Sequence, residues 1–305
     1  MAKVEQFTFT ECLTSRSLKA LPLFLRVNKK QSAEVILLRL LSGTIDFENV
    51  ISKTKISQRK NYTITDFKNN SRISAKILIE IFKIDGTKIN QLKIEKYYND
   101  SIKRGNKVFF ENLLLEFCNY FYQSNKESHA TAFLHLYRSV ELISYSFPLH
   151  FATKSKSYKS TFNTLKDFFT KTDGELSFFK KFVNEHLFQG NPILDINLDI
   201  KIDQSNAKLQ EQYFIALKKL CANNSKNIIV KSETNFSEIV ITRRGLTSLI
   251  IDLRNRYFHL LSGDYNDNFS SSDLAEIDLF YKNVNEIILN WLSLIYIELL
   301  INTIE

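Results

Sequence analysis

Residue types and spacing best suit chemistry in the run Arg254-Asn255-Arg256-Tyr257-Phe258-His259. Histidine titrates near neutrality, so His259 can take a proton from a hydroxyl or return one to a leaving oxygen. Arginine stays charged and grips two phosphate oxygens at once, which suits Arg254 to charge building up on phosphorus. Asn255 precedes His259 by one helical turn, close enough for its amide to orient the imidazole or share a phosphate with it. RNA supplies its own nucleophile, the ribose 2′-hydroxyl, so a site of this kind calls for no metal and no cofactor. The sequence carries no carboxylate cluster of the two-metal kind and no His/Cys spacing of the zinc kind. It also lacks the glycine loops that cradle phosphates and the Gly-x-Ser-x-Gly turn.

The helix that must position these residues shows in an apolar stripe. Leu246, Leu249, Ile250, Leu253, Tyr257, Leu260 and Leu261 recur at helical spacing and define one face. Ser248, Asp252, Asn255 and His259 fall together on the opposite face, which is expected to meet water, a ligand or a second subunit. Arg254 and Arg256 flank the stripe. At about 100° per residue, Arg254 and His259 lie about 140° apart, so one regular helix cannot aim both at one phosphate. A distorted helix or a second copy of the chain must close that gap.

Composition sets the frame for this helix. Only 7 Gly and 3 Pro occur in 305 residues, which disfavours a turn-rich β fold and favours long helices with short polar links. The expected fold class is mainly α. Helices are predicted over 108–122, from a Ser128 cap to Pro148, and over 160–169, 175–188 and 207–222. Another is predicted over 247–261, closing at Ser262-Gly263. The last starts near Ser272-Asp273, where Glu276 resembles a capping box, and runs almost to the end. A polar seam at 97–106 divides this helical part from a mixed α+β part. There a short helix over 35–41 ends at Gly43, and Tyr62 to Thr65 reads as a strand. A hairpin is expected about Asp85-Gly86, with Ile77, Ile79 and Ile81 on one arm and Ile89, Leu92 and Ile94 on the other. The predicted division is therefore a basic N-terminal α+β domain, 1–105, and a helical domain, 106–305.

Charge follows the same division. Residues 1–105 hold 20 Lys and Arg against 10 Asp and Glu, a balance of +10, which leaves −2 for the rest of a chain whose net charge is +8. Clustered positive potential attracts phosphates, so the first third is a candidate for gripping a polyanion, a partner or a trigger, beside the plainer reading of a Lys-rich solvated surface. Cys12, Cys118 and Cys221 are odd in number and far apart, which points to reduced, packed thiols and a cytoplasmic setting. The N-terminus shows no signal-peptide pattern. The apolar stretch 287–304 is interrupted by Asn290, Glu298 and Asn302. Since a central charge costs roughly 2.5–3.5 kcal/mol in a bilayer, it reads as a buried bundle or dimer helix, with no membrane implied.

The late-helix run resembles the HEPN superfamily, helical-bundle proteins whose ribonuclease members carry Arg, usually a polar residue next, and His after four to six intervening residues. Here Arg254 is followed by Asn255, and four residues separate it from His259. Tyr137-Arg138-Ser139-Val140-Glu141 also looks like the Tyr-Arg-x-x-Glu run of some relatives. The resemblance covers the helical layout of about 107–305 and implies a HEPN-like bundle and a metal-independent endoribonuclease. Arg254 and His259 would be catalytic with Asn255 as supporting polar residue, the site being built by two copies across a two-fold. Around them, Asp252, Arg256, Tyr257, Tyr137, Arg138 and Glu141 are expected to bind RNA or support the site. Some relatives place Tyr two residues after the His; here that position is Leu261, so that role does not carry over. Stand-alone proteins of this kind resemble growth-arresting toxins or phage-defence effectors, which implies RNA as substrate, a homodimer, and an antitoxin or sensor protein as regulator.

A different class of function stays open beside this one: a HEPN-like bundle that no longer cuts and serves as a binding or scaffolding module for RNA or protein. Other candidates have plainer explanations. His129 and His135 fit a capped helix start and a solvated face, and His150 and His186 read as surface residues. Arg243-Arg244 is a candidate contact to RNA backbone, although two arginines before a helix are common.

Overall fold

A computed structural model describes the chain apart from residues 1, 5, 30, 69–77, 79–80, 82, 85–86, 89, 102–105, 154, 156, 171–174, 259–267, 271–272 and 305. At 63% helix and 11% strand the protein is mainly α with small sheets, as composition and periodicity predict. Two compact units divide it. One comprises Met1–Lys126 with Leu292–Glu305, the other Glu127–Trp291. These units differ in extent from the predicted division at 105/106, because the helix Lys107–Asn125 and the last residues of the chain belong with the N-terminal unit.

In the first unit, strands β1 (Ala2–Val4), β2 (Phe7–Glu11), β3 (Ile45–Asn49) and β4 (Lys55–Ser57) form an antiparallel sheet in sequence order. Period-two alternation turns Phe7, Phe9, Ile45 and Phe47 inward, and Phe9 pairs with Phe47 in register. After the short α1 (Ser15–Ala20) comes α2 (Ala33–Leu41), in which all nine residues are buried, Glu34 and Arg39 included. Gly43 ends the turn after α2 as predicted. Its φ is +72°, and a Cβ there would stand 2.7 Å from the backbone oxygen of Lys60. Helix α3 (Gln91–Ser101) precedes α4 (Lys107–Asn125), and α4 packs against α2.

Several expectations in this unit are corrected. Tyr62 to Thr65 is a turn, drawn in by the backbone bond from Tyr62 N to Leu41 O (2.9 Å) and by Asn61 Oδ1 accepting from Thr63 N (3.0 Å). The hairpin about Asp85-Gly86, by contrast, stands as predicted, its described strands being β5 (Lys83–Ile84) and β6 (Thr87–Lys88). Its Ile77, Ile79, Asp85, Gly86 and Ile89 lie outside the described residues. Leu92 and Ile94 are helical, because Ile94 and Tyr97, three residues apart, bury one face of α3. The predicted seam therefore begins inside a helix, and the Tyr97 hydroxyl reaches Glu34 at 3.2 Å.

The second unit holds α5 (His129–Thr153), α6 (Tyr158–Thr170), α7 (Glu175–Phe182), α8 (Ala207–Asn223) and α9 (Leu246–Phe258). The first half of α10 (Ile277–Ile304) belongs here too. Helix α5 does not stop at Pro148. It continues one turn further to Thr153, because Phe147 is locked against Phe179 and Phe182 at ring distances of 5.1 and 4.4 Å. Glu276 forms no capping box. Helix α10 starts at Ile277, and Asp273 instead closes a turn by accepting from Ser270 N at 2.7 Å. Sequence reading also missed a three-stranded sheet, β7 (Asn197–Lys201), β8 (Val230–Thr234) and β9 (Glu238–Thr242), in the order β7-β9-β8.

Helix α10 is long and apolar enough to cross a membrane by length and composition, yet 78% of its most apolar window is buried inside the protein. Asn290 within it is fully buried and accepts from Arg243 at 3.1 Å. All three cysteines are free, two of them buried.

Candidate functional site

Helix α9 carries the motif as far as Phe258, and the first four members of its apolar stripe pack as predicted: Leu246, Leu249, Ile250 and Leu253 are no more than 1% exposed, whereas Tyr257 is half-buried. The helix is hemmed in by α5, α7 and α8. From α10, the Tyr281 hydroxyl donates to Leu253 O at 3.2 Å. At its C-terminal end Phe258 stacks on Phe133 (6.1 Å, 8° between planes), and Tyr257 meets Phe258 edge-on at 4.8 Å. These rings, with Tyr281 4.6 Å from Phe133, make an aromatic bed under the last turn.

Arg254 lies over this bed. Its guanidinium sits 5.0 Å from the centroid of the Tyr137 ring, and Nη1 donates to Asn255 Oδ1 at 3.0 Å. Tyr137 is buried on α5, so two runs far apart in sequence meet here. Asn255 thus orients Arg254. His259, with Leu260, Leu261 and the Ser262-Gly263 stop, lies outside the described residues. Arg138 is exposed on α5, and Glu141 is half-buried one turn on. Arg256 is half-buried, and its carbonyl accepts from Phe269 N at 2.9 Å.

The polar face is less open than its register suggests. Ser248 is 2% exposed, and Asp252 is half-buried with its Oδ2 accepting from Asn224 Nδ2 at 2.5 Å. The correction has a simple cause. An apolar stripe shows which side of a helix meets the core, but a neighbour with matching polar groups can cover the other side as well. Burial pushes the Asp252 carboxyl above its ordinary range, against the Asn224 hydrogen bond and the charges of Arg256 and Lys180. Burial likewise pulls Lys180 down, against the Asp252 charge, and pushes the Cys221 thiol up to about 12.

A testable consequence follows from the sign of that shift. A carboxyl raised in the folded state favours its protonated form. Its contribution to stability is therefore complete below the ordinary value of 3.8 and is lost as pH rises through the raised value. Asp252→Asn fixes the neutral form. The variant is expected to unfold at higher urea than the wild type near pH 7, with the gap closing below about pH 4. Urea midpoints across that range check this, and a gap independent of pH contradicts it.

Two predicted RNA contacts separate. Arg243 is a core residue, 2% exposed, bonded to Asn290 and lowered to about 10 by burial, so it cannot reach a backbone phosphate. Arg244 stays half-exposed and pairs with Asp195 at 3.1 Å. His129 is a buried helix-start residue, with its ring 3.0 Å from Glu127 and its carbonyl accepting from Asn285 at 2.8 Å. Neighbouring Ala130 N donates to Asp278 at 2.8 Å, which satisfies that helix start. His186 is not a free surface residue; it is half-buried, 4.8 Å from the Phe151 ring. Among the described residues, no three His, Cys, Asp or Glu side chains are grouped so as to hold a metal ion.

Compared with known proteins, the chain matches no family model, no curated protein and no solved structure.

Proposed function

We propose that this chain is a metal-independent endoribonuclease of HEPN type that works as a pair of copies, in growth arrest or phage defence. The observation that carries the reading is the posture of Arg254. A guanidinium resting on Tyr137 and tethered by Asn255 uses, among the described residues, one N–H for the tether, which leaves the rest of its planar fork for phosphate oxygens. Five residues on in sequence, His259 supplies the group that titrates near neutrality.

In the reaction, a His259 imidazole takes the proton of the ribose 2′-hydroxyl. O2′ attacks phosphorus, the P–O5′ bond breaks, and the leaving O5′ takes up a proton. The products are a 2′,3′-cyclic phosphate and a 5′-hydroxyl. Arg254 neutralises charge that grows on the non-bridging oxygens. Because the two residues are about 140° apart on a regular helix, a second copy brings the missing half of each pair. The basic N-terminal residues would hold RNA, a partner or a trigger, without the fully buried Arg39.

The coverage of Ser248 and Asp252 favours a second reading, a HEPN-like module that binds RNA or protein without cutting. Cleavage of single-stranded RNA in excess chelator, by wild type and by His259→Ala, separates them. The nuclease reading expects activity in the wild type and a loss of about 10²–10⁴-fold in the variant. Equal activity in both, or activity that chelator abolishes, refutes it.

A further inference from the structure

The chain holds 25 Phe and 13 Tyr, and among the described side chains only two of these rings are exposed: Tyr158, at 90%, and Phe162, at 66%. Both lie on α6. One exposed ring is ordinary on a protein surface. Two that stand a single helical turn apart, in a chain that packs its other described rings at least in part, mark a face.

The helix itself lays that face out. Helix α6 packs against α5, and its Thr161, Thr164 and Leu165 are half-buried. At about 100° per residue, Tyr158, Phe162, Lys166 and Lys159 fall within an arc of about 100° turned away from those three, and all four are exposed. Asp167, the one acid of the helix, is half-buried and lies outside the arc. In sequence, residues 142–166 hold Lys154, Lys156, Lys159 and Lys166 and no Asp or Glu, a basic island in the part of the chain whose balance is otherwise acidic.

Rings set beside ammonium groups match a strand of phosphates that carries flat bases, since bases stack on aromatic faces and lysines pair with phosphates. Tyr158 and Phe162 are about 6 Å apart along the helix axis. Neighbouring bases of a duplex strand are only about 3.4 Å apart. Each ring therefore takes a base drawn out of the stack, which a single strand permits and a duplex resists. Other occupants fit less well. A helix that lies in a membrane surface buries a broad apolar face, and here the exposed apolar strip is two rings wide. A second copy docked on the same face across a two-fold would bring Lys159 and Lys166 against their own counterparts.

We infer that the outward face of α6 holds single-stranded RNA, with Tyr158 and Phe162 stacking on two bases and Lys159 and Lys166 meeting phosphates. The choice of RNA over DNA rests on the nuclease reading; the stacking and the phosphate pairing do not. These residues are distinct from the α9 motif and from the basic N-terminal residues. Stacking reads no hydrogen-bonding edge, so the grip tolerates many sequences.

The test is fluorescence anisotropy of labelled oligoadenylate, its duplex with oligouridylate, and the DNA strand of the same sequence. The full-length chain bears His259→Ala, so that RNA is not consumed if the chain cleaves it. The RNA strand is expected to bind more tightly than the duplex. Tyr158→Ala and Phe162→Ala should each weaken it on the order of tenfold with unchanged thermal melts, while Tyr158→Phe keeps a ring and binds like its parent. Lys159→Gln and Lys166→Gln should each flatten the slope of log affinity against log salt by about 0.7. The inference is overturned by absence of RNA binding, by alanine variants that bind like their parent, by a duplex held as tightly as the strand, or by DNA bound in place of RNA. It also falls if the alanine variants keep RNA but lose binding to vesicles of phosphatidylserine and phosphatidylcholine, or lose self-association. Cleavage enters none of these readings. Ring-dependent RNA binding by a chain that never cuts sinks the nuclease reading alone, and ring-independent binding by a chain that cuts sinks this inference alone.

Discussion

Arg254→Ala is expected to reduce RNA cleavage by about 10²–10³-fold while the protein stays folded, the loss usual for removing one group that stabilises a transition-state oxyanion. The two effects separate because of where the side chain lies. Arg254 is half-exposed and rests on the Tyr137 ring, so its contribution to stability is about 0.5–1 kcal/mol. The role proposed for it towards phosphate would depend on a planar fork, which Asn255 aims. Arg254→Lys keeps the charge above Tyr137 but replaces the planar fork by a single ammonium nitrogen that cannot grip two phosphate oxygens side by side, so it is expected to recover only part of the activity. Single-turnover cleavage beside a thermal melt measures both quantities. A variant that cuts like the wild type, or one that fails to cut only because it has unfolded, contradicts this account of Arg254.

The largest expected loss of stability lies in the N-terminal unit. Arg39 has no exposed surface, and its five N–H groups are all used. Nε donates to Thr44 Oγ1 (2.7 Å), Nη1 to Glu11 Oε1 (2.9 Å) and Leu25 O (2.8 Å), and Nη2 to Glu11 Oε2 (2.6 Å) and Thr44 O (3.0 Å). Glu11 also accepts from Val27 N at 3.0 Å, so one carboxylate joins β2, α2 and the segment between them. Arg39→Met keeps much of the volume but strands that carboxylate and two carbonyls. About 3–5 kcal/mol of stability is expected to go, the range for breaking a buried pair from one side. Adding Glu11→Leu removes the stranded charge and is expected to restore part of the loss. Urea unfolding by far-ultraviolet circular dichroism, with hydrogen exchange in Ile45–Asn49, measures it. A single variant as stable as the wild type contradicts the accounting.

These two arginines also show what was legible in the sequence. Long apolar-periodic segments could be read, so α4 and α8 begin and end, and α9 begins, within a few residues of expectation, and Gly43 stops α2 as a left-handed glycine must. Short strands could not. The runs around Asn197–Lys201 and Glu238–Thr242 are five residues each, and their pairing is between segments some forty residues apart, which no local period reports. Arg39 counted among the basic residues of the first third and Arg243 as a candidate RNA contact, because a sequence carries no sign that the five donors of Arg39 will find acceptors inside or that Arg243 will be buried against Asn290. At the site, the meeting of Arg254 with the Tyr137 run was suggested by resemblance, not by spacing. The Asn224 contact to Asp252 had no signal, because Asn224 caps the end of α8, 28 residues before Asp252, and belongs to no motif.

The central claim is that RNA supplies the nucleophile and that the α9 run handles the proton and the charge. The most direct measurement uses one RNA in two forms, unmodified and 2′-O-methylated at the cut position, with product ends identified by mass. The account predicts that the unmodified strand yields a 2′,3′-cyclic phosphate and a 5′-hydroxyl, and that the methylated strand stays whole at that position. Cleavage of the methylated bond at the same rate, or products ending in 5′-phosphate and 3′-hydroxyl, would contradict it.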